Sequence, residues 1–173
     1  FLSSIFQPGA RVKTGVRITT QPASYLRDVS DTELAKFDSI YLLDVDRLEA
    51  KAAARLEEFA RRGGGICFFV GKNVNFEAYN RLLYRDGVGI FPTPLGEVGE
   101  LDARTEESSP DLEVTSHPVF GVFLAERSSF LQQVTIRQHA RAPAGYVAPP
   151  DLGVSAPVKL RNGDPLVVER AFG

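Results

Sequence analysis

Methionine is absent from the 173 residues, cysteine occurs once and histidine twice. A single cysteine leaves no internal disulfide and no cysteine-based zinc cluster, and His117 and His139, 22 positions apart, cannot form a short metal motif by themselves. No metal and no cofactor is predicted. Basic residues never run longer than Arg61-Arg62, and the formal charge is −2 with a pI near 5.8. There is no electrostatic footprint for a phosphate backbone, which excludes nucleic acid as a partner. No apolar run approaches the roughly 18–20 residues that cross a bilayer, and no signal peptide is present, so the piece is predicted to be soluble. The lone thiol fits either redox environment. With no initiator methionine, a start at Phe1 and a stop at Gly173 directly after a strand signal, the sequence reads as a segment of a longer protein. At 18.9 kDa it suits one domain, residues 1–173, large enough to bury a sizeable core.

What is present is clearest between Leu34 and Gly71. An apolar run from Ile40 to Val45 is followed by an alanine-rich amphipathic stretch, three glycines and a second apolar run from Ile66 to Val70. Strand, helix and strand in that order, with too little polar alternation for a solvent-facing strand, predict an α/β fold: a mainly parallel sheet, Rossmann-like or flavodoxin-like, with helices on both faces. In the helix, Leu48, Ala52, Leu56, Phe59 and Ala60 form a core-facing stripe and charged residues occupy the rest. Asp46 is the predicted N-cap, and Gly63 supplies the left-handed residue that ends the helix behind Arg61 and Arg62. Upstream, residues 1–6 read as the tail of a helix ended by Pro8-Gly9, and Val12–Thr20 as a strand. Ser30 with Glu33 forms a capping box for a short helix that ends near Phe37.

After Val70, Gly71 to Asn75 leads into a helix from Phe76 to about Tyr84 whose Tyr79, Leu82 and Leu83 are spaced as a core stripe. Residues 87–115, rich in glycine, proline and acid, read as a long irregular excursion with little core of its own. Its segment Glu97–Glu113 holds seven of the chain's 22 carboxylates and is predicted to be a solvated loop. A short strand is expected at Val134–Gln138, and Asn162-Gly163 between two apolar runs predicts a C-terminal β-hairpin.

The segments FDSIYLLDVDRL, LEEFARRGGGICFFVG, YNRLL, SHPVF and NGDPLVVERAFG, in this order, resemble the class I glutamine amidotransferase-like superfamily, in particular its trehalose-utilisation-like branch. Such domains are embedded in large bacterial membrane proteins that also carry von Willebrand factor A and aerotolerance-type segments. The resemblance spans most of the chain and implies a membrane-anchored parent, whose other domains or membrane-complex partners are this domain's partners. It also implies a first strand lying before Phe1. An amidotransferase needs a cysteine on a sharp strand-to-helix elbow, with a His and a Glu two residues apart near the C-terminal end. Here Phe68 and Phe69 follow Cys67, which places the sulfur inside a strand as an inert, buried small hydrophobe. His117-Pro118 is followed by Val119 where the acid belongs, and Pro118 makes His117 a turn residue. His139, among polar neighbours, reads as solvated.

Strand carboxyl ends are where open α/β sheets take ligands. The candidate cleft is therefore Asp44, Asp46, Gly71, Lys72, Asn73 and Asn75 together with His117, although Asp46 and Asn75 each have a capping role open to them. The triple glycine 63–65 lies between helix and strand, the reverse of a phosphate cradle. The resulting expectation is a non-catalytic binding or scaffolding domain of a larger protein. A small-molecule or carbohydrate-binding domain or hydrolase of the trehalose-utilisation type, using the cleft above Asp44, Gly71 and His117, is the alternative, and a thiol-dependent amidotransferase is a third.

Overall fold

In the computed structural model, which describes residues 2–7, 14–105, 109–123 and 129–173, three short helices come first: α1 (Leu2–Phe6), α2 (Tyr25–Asp28) and α3 (Asp31–Leu34). The Ser30 hydroxyl accepts the Glu33 N–H at 3.2 Å, which satisfies one of the free donors in the first turn of α3. Strand β1 (Ser39–Leu43), helix α4 (Ala50–Arg61) and strand β2 (Gly65–Phe69) follow, with β1 and β2 parallel and Ser39 opposite Gly65. The predicted stripe is buried at Leu48, just before α4, and at Ala52, Leu56 and Phe59 along it, and Gly63 follows the helix end with a φ of +92°. The N-cap falls at Glu49 and not at the predicted Asp46. The Asp46 carbonyl accepts the Asn75 N–H at 2.9 Å and the Val45 carbonyl accepts the Tyr79 hydroxyl at 2.9 Å, so the loop after β2 holds this segment out of the helix.

Helix α5 (Phe76–Tyr79) is capped by Asn75 and continues as a π turn through Asn80–Tyr84. Tyr79 and Leu83 are almost fully buried, and Tyr79, Phe68 and Phe91 meet edge to face with centroids 5.1–6.2 Å apart.

The doubly wound parallel sheet is where sequence and structure part. Among the described residues the only parallel pairing is β1 with β2. Residues 14–20, expected as a strand, are irregular and mostly exposed, while Val12 and Lys13 lie outside the described residues. The other strands are antiparallel. β3 (Glu97–Glu100) pairs with β5 (Gln138–Arg141), and β4 (Leu112–Val114), β6 (Val154–Leu160) and β7 (Pro165–Arg170) form a sheet in the order β4-β6-β7. Helix α6 (Ser129–Gln133) precedes β5, which starts at the residue where the predicted strand ended. The 87–115 excursion supplies two of these strands, and its Ile90, Phe91, Leu95 and Leu101 are buried. Antiparallel ladders close without the crossover helix that a parallel one requires. The C-terminal hairpin is present: β6 pairs with β7 across Asn162-Gly163, with Gly163 at φ +87°.

Among the described residues, helices α4 and α5 cover one face of the β1–β2 pair, whereas the other face meets only the end of α1, through Phe6 against Tyr41. Ile40, Leu42, Ile66 and Phe68 turn toward α4 and α5 and join the core. Tyr41, Leu43 and Phe69 point the other way and are 42%, 51% and 45% exposed. Both strands are apolar on both sides, so composition alone does not say which side is covered.

Candidate functional site

The strand carboxyl ends gather part of the predicted cleft. Asp44, at φ +50°, donates its N–H to the Phe69 carbonyl at 2.9 Å and thereby extends the ladder by one residue. Its carboxylate accepts the Asn73 N–H at 2.9 Å through Oδ1 and the Asn73 side-chain amide at 2.7 Å through Oδ2. Gly71 makes room for this contact, since a Cβ there would sit 2.5 Å from the Asp44 carboxyl carbon. Asn75 is spent as a cap, its Oδ1 accepting the Ala78 N–H at 2.9 Å. Asp46 is exposed beside Arg47, and Lys72 is exposed. Both Asn73 donors are therefore met by the Asp44 carboxylate, and the arrangement is a clasp between two strand ends.

His117 does not join this group. Its Nε2 lies 3.0 Å from Glu169 Oε2 on β7, its Nδ1 accepts the Val119 N–H at 3.3 Å, and its ring lies against Phe120. It holds the 3-10 turn that begins at Pro118 against the C-terminal hairpin. The predicted cleft therefore divides into a clasp of Asp44, Gly71 and Asn73, two neighbouring loop residues, and a separate histidine.

Cys67 lies mid-strand as predicted, opposite Tyr41. Its burial is corrected, however, because the side chain is on the open face and exposed. Partial desolvation beside its apolar neighbours pushes the thiol above its ordinary pKa, the reverse of activation. Both imidazoles are engaged with carboxylates elsewhere, His117 with Glu169 and His139 with Asp164.

Two buried clusters were not legible in the sequence. His139, expected to be solvated, is 6% exposed. Its Nε2 lies 2.8 Å from Asp164 Oδ2, the same oxygen that accepts from Asn162 Nδ2 at 2.9 Å and forms an ion pair with Arg141, whose Nε is 3.1 Å away. Asp164 must accept, so Nε2 carries the proton, and Nδ1 is buried without a partner among the described residues. Asp111, inside the stretch read as a solvated acidic loop, is 1% exposed. It accepts the Ile136 N–H at 2.8 Å and Arg161 Nε at 3.1 Å, with Arg104 Nε 3.5 Å away. The only sequence signal for either was its setting: Asp164 within Asn-Gly-Asp, and Asp111 directly before a strand.

For both carboxylates burial pushes the pKa up, but it is outweighed. Hydrogen bonds from Ile136 and Arg161 with the charge of Arg104 hold Asp111 below the ordinary 3.8, and those from His139 and Asn162 with the charge of Arg141 do the same for Asp164. A folded-state pKa below the unfolded one gives stability that is complete above the unfolded value and lost as pH falls through the folded value. The melting temperature is expected to hold down to about pH 5 and to drop steeply between about pH 4 and pH 2, with a shallower drop in Asp111→Asn; thermal melts across that range measure it.

Among the described residues no three His, Cys, Asp or Glu side chains converge to hold a metal ion, and no helix is long and apolar enough to cross a membrane. No protein-family model, curated protein or solved structure matches the chain.

Proposed function

We propose that the chain is a non-catalytic binding or scaffolding domain of a larger, membrane-anchored protein, and that the open face of β1 and β2 docks an apolar segment from another domain of that same polypeptide. The carrying observation is the face itself. Tyr41 stacks on Phe69 at 6.3 Å, and Leu43 and Cys67 sit beside them in solvent. Contiguous exposed apolar side chains of this kind mark interaction sites on soluble domains. The patch already receives a helix at one side, where Phe6 of α1 meets Tyr41 edge-on at 5.7 Å while Ile5 next to it is 52% exposed. An apolar segment continuing that contact would cover both the patch and Ile5. The larger, membrane-anchored parent is what the family resemblance implies, and the strand-borne, unactivated Cys67 supports the non-catalytic half of the reading.

Cys67 provides the probe. With benzophenone-maleimide on this thiol in the parent polypeptide, irradiation is expected to give crosslinks, located by peptide mass spectrometry, to an apolar segment outside residues 1–173. Their yield should drop several-fold in Tyr41→Ser/Phe69→Ser. Crosslinks confined to residues 1–173 would overturn the reading.

A further inference from the structure

We propose that a half-open pocket of about 350 Å³ between β5, the 142–148 loop and the β6–β7 hairpin is a binding site for a small primary ammonium with a short aliphatic body. Among the described residues the charged ones lining it are Arg141 and Asp164, and its remaining wall is mostly small and apolar, including Ala142, Pro143, Ala156 and Val168. This volume falls at the small end of ligand pockets, which run from roughly 300 to 1,000 Å³.

Asp164 is the recognition group. Its two side-chain hydrogen-bond donors, His139 and Asn162, converge on Oδ2, the Arg141 guanidinium pairs with the same oxygen at 3.1 Å, and no described residue donates to Oδ1. The carboxylate is held from behind by a histidine whose side chain is 1% exposed. It therefore presents a fixed, unshared acceptor without further ordering on binding. Charge decides the ligand's sign. Arg141 is shared between Asp164 and Glu97, whose Oε1 lies 3.5 Å from Nη1, so two carboxylates face one guanidinium. A third carboxylate, Glu169, accepts the hydroxyl of the lining residue Ser155 at 2.7 Å. An anion would have to compete with Asp164 and Glu97 for the one guanidinium, whereas a cation finds a carboxylate oxygen with no donor.

The chemistry narrows the cation further. A calcium or magnesium ion requires several oxygen ligands, and one free carboxylate oxygen does not supply them. A quaternary ammonium is held by an aromatic cage, and among the described residues Tyr146 alone is an aromatic lining residue. A primary ammonium can place one N–H on Oδ1 and another on the Thr93 or Ser155 side of the cavity, with its alkyl chain along the alanine and proline wall. This site is separate from the open face of β1 and β2, so either reading can fail alone.

The test is titration of the purified chain at pH 7 with n-butylammonium chloride, followed by isothermal calorimetry and amide chemical shifts, with n-butanol and sodium butyrate as isosteric controls. Saturable binding of the amine with shifts clustered at residues 141–148 and 154–165 is expected, with neither control binding. Asp164→Asn should weaken the affinity at least tenfold. Because Asp164 also anchors the hairpin turn, Ala156→Leu serves as the second variant: it fills the cavity without touching the carboxylate and should abolish the shifts. Equal response to butanol, no response to the amine, or unchanged affinity in Ala156→Leu would overturn the proposal.

Discussion

Replacing Asp111 with alanine is expected to lower stability by about 3–5 kcal/mol, as for other buried ion pairs broken from one side. The carboxylate ties together three segments distant in sequence, through Arg104, the Ile136 N–H and Arg161, whose guanidinium also donates to the Asp102 carbonyl. Arg161 and Arg104 are themselves only 19% and 25% exposed. Alanine would leave two largely buried guanidiniums facing each other without an anion, and one backbone N–H without an acceptor. Asparagine keeps an acceptor for that N–H and should cost less than alanine. Urea denaturation at pH 7 measures both, and a loss below about 1 kcal/mol for alanine would mean that the cluster behaves as an ordinary surface pair.

Gly89→Ala is expected to destabilise by about 3 kcal/mol or more, through a clash that no rotamer relieves. A Cβ at this position would lie 1.9 Å from the Leu83 carbonyl oxygen. The backbone runs this close because it closes the π turn: the Gly89 N–H donates to the Tyr84 carbonyl at 2.9 Å, and the Phe91 N–H donates to the Leu83 carbonyl at 2.9 Å. Opening the strap by the required distance breaks these bonds and displaces Phe91, which is 4% exposed against Phe68 and Tyr79. The same urea series, with near-ultraviolet circular dichroism reporting the aromatic cluster, measures the effect. A wild-type midpoint with an unchanged aromatic signal would contradict this placement of the strap.

What the sequence made legible is what neighbours along the chain decide. The Ser30 and Asn75 caps, the Leu48–Phe59 stripe, the stop at Gly63 and the turn at Asn162-Gly163 each depend on residues within a few positions, and each is present. Asp46 was misread because its competitor, the Asn75 N–H, comes from another loop. The sheet was misread for a similar reason. Ile40–Val45 and Ile66–Val70 are apolar on both sides, so the pattern implies two covered faces, whereas Tyr41, Leu43 and Phe69 remain open. The buried states of His139 and Asp111 depend on Asp164, Arg141, Arg161 and Ile136, partners brought close only by antiparallel pairings that periodicity does not encode. Of the candidate cleft, Asp44, Gly71 and Asn73 do meet, but they satisfy one another.

The central claim is that β1 and β2 present an open apolar face carrying an unactivated thiol. Native-state alkylation of Cys67 by iodoacetamide, timed against a free cysteine model compound at the same pH, tests it most directly. The account predicts complete labelling without denaturant, at a rate no faster than the model thiol and falling as pH is lowered, because thiolate is the reactive form. A thiol that labels only after denaturant would mean that the face is covered, and one that labels faster than free cysteine would mean an activated nucleophile; either result contradicts the account.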